Sequence, residues 1–314
     1  MVAHELTHAL QDQHYDLVKL LESSDNWDVT QALHTLIEGD ATVVMTLIDK
    51  AGPLLALNYR IAPSSVAGLR PLLKLAEAQG GEAAKEAKLL RTTPAVLLDP
   101  MLFDYHEGYR FVRKLVKKTD DGEWDFGRVD AAFRSPPLST EQILHPKKYR
   151  GDEPDWPTQL ELPDLCETLG PTYMRAGGNT LGEMLIRTLL GRYKVRGRRR
   201  KHRGWDGDRF EIYRSKNDGA ALLWMSVWDS AKDAREFGEG LRSIQTSRWP
   251  DLEFRSKGKQ EIWAQDDNKV FGHYRQDDIV IAFQNWPQER LQASLKRLLS
   301  ETQRIERKPL LPPR

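Results

Sequence analysis

The chain changes texture across Gly151–Pro171, a stretch that carries Pro154, Pro157, Pro163 and Pro171. This break constrains the fold more than any other feature. Proline fixes φ and removes a backbone donor, so such a stretch interrupts both helices and central strands. Before it, apolar residues recur at helical spacing; beyond it, they gather in short segments that alternate or run together as strands do. A chain divided in this way reads as α+β: a mostly helical N-terminal domain followed by a smaller α+β domain. The expected extents are residues 1–165 and 175–302.

In the first half, helical patterns cover Met1 to about Leu21, with Leu6, Leu10, Leu17 and Leu20 as apolar positions. A second helix runs from Asp28, read as its N-cap, to Lys50, and Gly52-Pro53 ends it. Further patterns cover Val66–Gln79, Gly81–Arg91 and Phe103–Lys118, and Ser139 with Gln142 opens a short helix before Pro146. In the second half, strands are expected over Arg209–Arg214, Ala220–Trp228, Glu261–Ala264, Val270–Arg275 and Asp278–Phe283. Helices are expected over Met184–Leu190 behind a Thr180/Glu183 capping box, over Ala231–Ile244, and over Gln288–Leu299. That order predicts a sheet with its helices on one face.

The totals remove several function classes. There are 47 Lys and Arg against 46 Asp and Glu, a formal net charge of +1, so no global charge draws the chain to nucleic acid or an anionic membrane. No apolar run approaches the ~18 residues of a membrane span. Cys166 is the single cysteine, which rules out an internal disulfide and reads as a small buried hydrophobe.

The chemistry is concentrated at the N-terminus, in His4-Glu5-Leu6-Thr7-His8. Residues four apart share a helix face, so His4 and His8 can present their imidazoles to one Zn2+ ion. Glu5 is displaced around the helix, where it can take a proton from water activated by the metal without ligating. A catalytic zinc usually has three protein ligands. Glu38, an acid inside the apolar stretch Leu36-Ile37-Glu38-Gly39-Asp40-Ala41, is the best third one. Asp40 is the alternative. His34 stands one turn before Glu38 as a ligand, a supporting group or a surface histidine. Asp12, one turn beyond His8, is placed to orient a ligand histidine; His14 lies off that face. The motif starts almost at Met1 and leaves no space for a signal peptide. The expectation is a longer protein, whose export would depend on a segment upstream.

The run His4 to Asp16 followed by Leu36–Ala41 resembles a bacterial family of HExxH zinc metallopeptidases of gluzincin-like type. Tyr105-His106-Glu107-Gly108-Tyr109-Arg110-Phe111-Val112 and the segment Pro136–Pro146 are similar to it as well. So are Gly204–Arg209 and Trp228-Asp229-Ser230. The resemblance implies a zincin-like first domain in which His4, His8 and Glu38 bind zinc, Glu5 is the general base, and a peptide or protein is the substrate. Thermolysin-like gluzincins carry an aspartate four residues after the ligand glutamate; this chain has Thr42 there, so either the histidine is supported differently or Asp12 or Asp40 takes that place.

A zinc peptidase also needs a donor for the developing oxyanion. Tyr105 and His145 are the candidates, against the plainer readings of a core aromatic and a helix-terminal histidine. The basic tract 192–203 is read as a solvated loop between domains, and the tryptophan-rich strands as core. His202 and His273 appear isolated. Two other functions remain open at this level: a catalytically silent zinc-containing binding protein, and an envelope or nucleic-acid adaptor acting through the basic tract. The intact Glu5 argues against the first and the near-zero net charge against the second.

Overall fold

The computed structural model describes residues 1–308 apart from residues 51, 153 and 265–267. Two compact units emerge, residues 1–155 and 156–307. Helices dominate the first and a large sheet the second, as expected for α+β. The division falls at 155/156, inside the proline-bearing stretch but earlier than the expected end at 165. Residues 158–165 belong to the second unit because Leu160 and Leu165 are buried in its core. The second unit is therefore only slightly shorter than the first.

The first unit contains α1 (Val2–Tyr15), α2 (Leu17–Leu21), α3 (Trp27–Ile48), α4 (Gly52–Ile61), α5 (Val66–Gln79), α6 (Gly81–Thr92) and α7 (Ala95–Leu115). A two-stranded ribbon, β1 (Lys117–Lys118) and β2 (Trp124–Asp125), leads to α8 (Gly127–Arg134), α9 (Thr140–Leu144) and α10 (Pro146–Arg150). The single helix expected to Leu21 is broken at Asp16, which adopts φ 53° and accepts a hydrogen bond from Lys19 N to start α2. Aspartate tolerates this left-handed turn because its short side chain bonds locally.

Helix α3 is capped by Asn26, not Asp28; Asn26 accepts from the backbone of Asp28 and Val29. Asp28 is turned inward and accepts from the Thr140 backbone N–H (3.1 Å) and hydroxyl (2.5 Å), which docks α9 on this end of α3. Helices α3 and α7 cross where Gly39 meets Gly108. A Cβ on Gly108 would lie 2.4 Å from Thr35 O and 2.9 Å from Gly39 Cα, so the two backbones touch without intervening side chains. Asp104, just before this crossing, accepts from Thr35 Oγ1 at 2.6 Å.

In the second unit β3 (Thr158–Glu161), α11 (Cys166–Leu169), β4 (Tyr173–Asn179), α12 (Gly182–Arg192), α13 (Arg198–Lys201), β5 (Trp205–Ser215) and β6 (Gly219–Trp228) come first. Next are α14 (Ala231–Arg248), β7 (Glu253–Lys257), β8 (Gln260–Ala264), β9 (Lys269–Gln276), β10 (Ile279–Pro287), α15 (Gln288–Glu301) and β11 (Gln303–Glu306). Seven strands form one antiparallel sheet in the order β4-β5-β6-β10-β9-β8-β7, and β3 pairs with β11 beside it.

Helices cover both faces of this sheet, not one. Leu223, Met225 and Val227 of β6 point into a core with Leu291, Leu295 and Leu298 of α15. Trp224 and Trp228 point the other way, against Phe237 and Leu241 of α14 and Leu190 of α12. Both residue sets on β6 are mostly apolar, Ser226 being the exception, which is what a doubly covered strand requires. The tryptophans serve as core, as expected: Trp205, Trp224, Trp228, Trp263 and Trp286 are all 5% exposed or less. Just before α12, Thr180 donates its hydroxyl hydrogen to Asp208 O at 3.1 Å. Asp208, buried on β5, accepts from Leu181 N at 2.9 Å and from Trp224 Nε1 at 2.9 Å. Burial raises the Asp208 carboxyl to about 7.

His202 and His273 are not isolated either. His202 Nδ1 lies 2.7 Å from Glu183 Oε1, and His273 Nδ1 lies 3.0 Å from Gln245 Oε1. Burial lowers the His273 imidazole to about 4. The unfolded chain takes up this proton near pH 6.5 and the folded chain not until about 4, so stability falls as pH drops through that window. The expected loss is about 3 kcal/mol. Urea unfolding of wild type and His273→Gln at pH 7 and pH 4 will measure it: the variant should lose less stability on acidification, and parallel losses would exclude His273 as the cause.

Candidate metal centre

Helix α1 buries its polar side. His4, Thr7 and Gln11 are inside, while Leu6 and Leu10 are 60% and 57% exposed. The expected apolar positions are therefore on the outer surface. The helix is held to α3 largely through hydrogen bonds, because the face carrying the histidines is the one that docks.

Three groups converge between α1 and α3. His4 Nε2 lies 3.1 Å from Glu38 Oε2, His8 Nε2 lies 3.0 Å from His4 Nε2, and His8 Nε2 lies 3.6 Å from Glu38 Oε2. A tetrahedral zinc with bonds near 2.0–2.1 Å separates its donor atoms by about 3.3 Å. The observed spacings bracket that value, so the donor set fits such an ion.

The proton on His8 can be located from its neighbours. Gln11 Nε2 donates to Ile37 O (3.1 Å) and Asp40 Oδ2 (2.8 Å), both acceptors only. That fixes the amide orientation and leaves Gln11 Oε1 facing His8 Nδ1 at 2.8 Å. His8 must then carry its hydrogen on Nδ1, which turns the lone pair of a neutral Nε2 toward His4 and Glu38. A lone pair aimed at a carboxylate calls for a cation or a proton between them. Accordingly, the hydrogen bond to Glu38 raises the His8 pKa above the ordinary imidazole value against the effect of burial. Burial alone would raise the Glu38 carboxyl, but hydrogen bonding and charge from the two histidines outweigh it and its pKa is lowered.

The support for His8 is thus Gln11 backed by Asp40, whose carboxyl burial raises to about 6. Asp40 therefore backs Gln11 and is not one of the three groups that converge. Asp12 has no such role: its carboxylate accepts from Leu17 N at 3.1 Å on the exposed side. His34 is exposed on the turn before Glu38. Thr42 is buried, and its hydroxyl has no partner among the described residues. Gln11 escaped the sequence reading, which looked only for acids, although its position three residues beyond His8 puts it on the same face.

Glu5 is exposed on α1, and its charge contributes to raising His8. Tyr105 joins the cluster: its ring centroid lies 6.0 Å from that of His4. Burial, then the charge of Glu38 and a hydrogen bond to it, raise the Tyr105 pKa, so the phenol keeps its proton. Tyr59 of α4 is raised by burial and by the charge of Glu38, and it stacks at a tilt on His106 with centroids 5.4 Å apart.

His145 is not part of this group. It ends α9, where its N–H donates to Glu141 O at 2.7 Å and its carbonyl accepts from Lys148 N at 2.8 Å. The docking residue Asp28 stands ten residues before Glu38 on α3, about 15 Å along the axis. Cys166 keeps its bland reading: burial and Asp164 raise its thiol, away from nucleophilic character.

No curated protein and no solved structure matches the chain. A family model described as a domain of unknown function (DUF8575) matches residues 169–293, which lie in the second unit, while His4, His8 and Glu38 lie outside the match.

Proposed function

We propose that the first unit is a zinc-dependent peptidase centre, in which His4, His8 and Glu38 hold the ion. The observation that carries this reading is the convergence of two imidazole nitrogens and one carboxylate oxygen within 3.6 Å, beside a further, exposed carboxylate. A bound zinc supplies Lewis-acid activation of a water nucleophile.

The chain's own residues divide the remaining work. Glu5 accepts a proton at its carboxylate as the nucleophile attacks a peptide carbonyl. Gln11 and Asp40 hold the His8 ring with Nδ1 protonated, which keeps Nε2 free to ligate. Tyr105 donates its phenolic hydrogen to the oxyanion that replaces the carbonyl. A purely structural site would need no base beside it and would close its fourth position.

Elemental analysis after dialysis is expected to give about one zinc per chain. The metal should be lost in His8→Ala and held much more weakly in Glu38→Ala. Gln11→Ala should weaken it roughly 10- to 100-fold, as loss of an outer support does. Zinc-dependent, chelator-sensitive cleavage of a peptide library completes the test. Full zinc retention in both ligand variants would exclude this ligand set. Bound zinc without cleavage of any library peptide would refute the peptidase reading.

A further inference from the structure

The turn between α12 and β5 carries eight cations and no acid within twelve residues: Arg192, Lys194, Arg196, Arg198, Arg199, Arg200, Lys201 and Arg203. It belongs wholly to the second unit and is not the inter-domain loop expected from the sequence.

The turn is firmly folded. Val195 is 3% exposed and packs in the core with Leu190 and Trp205. Gly197 at φ 73° starts α13, and the backbone bonds Arg198 N to Val195 O, Arg200 N to Gly197 O and Arg203 N to Arg200 O close successive turns. His202 is buried against Glu183. Lys201 Nζ reaches α14, donating to Glu236 O at 3.1 Å and Glu239 Oε2 at 2.6 Å. Val195, Lys201 and His202 anchor the turn, and Arg196, Arg199 and Arg200 are left exposed.

Of the eight cations, Lys201 alone has an ion pair with a carboxylate among the described residues. Fixing the others side by side costs self-repulsion that a mobile loop would relieve by spreading. A concave site of about 350 Å³ between α13 and α14 is lined by Arg196, Arg200, Lys201 and Arg235 together with Glu236 and Glu239, the latter paired with Lys201, and a second hollow whose charged lining groups are all cations lies over Gly197–Arg200. Arg200 borders both. A string of separated anionic groups can use this layout; a single carboxylate or phosphate uses only part of it.

The surroundings select among polyanions. A membrane-binding surface mixes basic residues with apolar side chains that enter the lipid. Here the large exposed hydrophobics of the described second unit are Met174, Phe254 and Ile305, none of them in the turn. Single-strand binders stack bases on exposed rings. The one aromatic in the turn, Tyr193, is half-buried with the Arg192 guanidinium 5.9 Å from its ring centre. We infer that this turn binds the phosphate backbone of double-stranded nucleic acid, without reading its bases. The net charge of the whole chain does not oppose this, because backbone contacts depend on the local cluster.

Fluorescence anisotropy of the full chain with a labelled mixed-sequence DNA duplex, across a NaCl series, tests the inference. Binding is expected at 50 mM NaCl, with log K falling linearly against log[NaCl] at a slope steeper than about −3. Replacing Arg198, Arg199 and Arg200 together with serine should weaken binding at least tenfold and flatten the slope by roughly 2–3, since each phosphate contact contributes about 0.9. Arg199→Glu alone should weaken it in the same direction. Arg290→Ser, on the exterior of α15, should leave it unchanged. Circular dichroism will check that the variants stay folded. Absence of binding at 50 mM NaCl, or equal loss in Arg290→Ser, would overturn the inference. So would cosedimentation with phosphatidylcholine–phosphatidylserine vesicles by a chain that ignores the duplex.

Discussion

Glu5→Gln is expected to lower peptide cleavage by 10²-fold or more while zinc content and helical signal stay at wild-type levels. The amide keeps the shape of the carboxylate but cannot take a proton, and general-base catalysis contributes about that factor. Retention of zinc is expected because Glu5 is outside the converging trio and exposed on α1. Turnover of the best library peptide should be measured beside metal content on the same preparation. Equal turnover in variant and wild type would remove Glu5 from the chemistry, whatever the ligand set. The control is informative in both directions: a fall in zinc together with activity would assign Glu5 a binding role instead.

Gly108→Ala should be strongly destabilising to the first unit. The added carbon would meet Thr35 O, Gly39 Cα and Gly39 N at 2.4, 2.9 and 3.0 Å, and all three are backbone atoms with no rotamer to change. Relief requires α3 and α7 to move apart. Overpacking typically costs 1–3 kcal/mol and occasionally more; with backbone on both sides, about 3 kcal/mol or more is expected. For a unit of this size that lowers Tm by roughly 10 °C. Glu38 precedes Gly39, and Tyr105 stands three residues before Gly108, so the same separation should also reduce zinc affinity. A variant with wild-type Tm would show that the helices do not meet as closely as described.

Much of the fold could be read from the chain because its local signals agree with one another. The break at the proline-bearing stretch, the helical first half and the central strands of the second half are all visible in spacing alone. The misreadings have physical causes. Gly52-Pro53 was read as a stop, yet the same pair opens α4, since proline suits a helix start as well as the residue after an end. Pro100 hid the first two turns of α7. The second layer of helices over the sheet was hidden because apolar residues on both faces of β6 blur the alternation that marks a half-covered strand.

At the candidate metal centre, the structure brings His4, His8 and Glu38 together with Tyr105 close by, and Glu5 is exposed on the same helix as the histidines. Gln11 was missed because a glutamine carries no metal signature; its role depends on Asp40 and Ile37 O, which only the docking of α1 on α3 brings near. His145 seemed equivalent to Tyr105 in sequence, and the position of α9 at the Asp28 end of α3 separates them. The crossing of α3 and α7 has no local trace at all, since a glycine in a helix does not announce what will press against it.

The placement of the indoles gives the two units different optical signatures. Five tryptophans are sealed in the second unit, while Trp27 and Trp124 of the first are 57% and 36% exposed. Indole emission moves to longer wavelength when water reaches the ring. Unfolding of the second unit will therefore redden the spectrum, whereas the first unit's indoles, already wetted, will change little. Far-ultraviolet circular dichroism weights the first unit instead, through its long helices. Melting curves recorded by the two methods would coincide if the units unfold together and separate if they do not. The native chain thus reports on each half without a label.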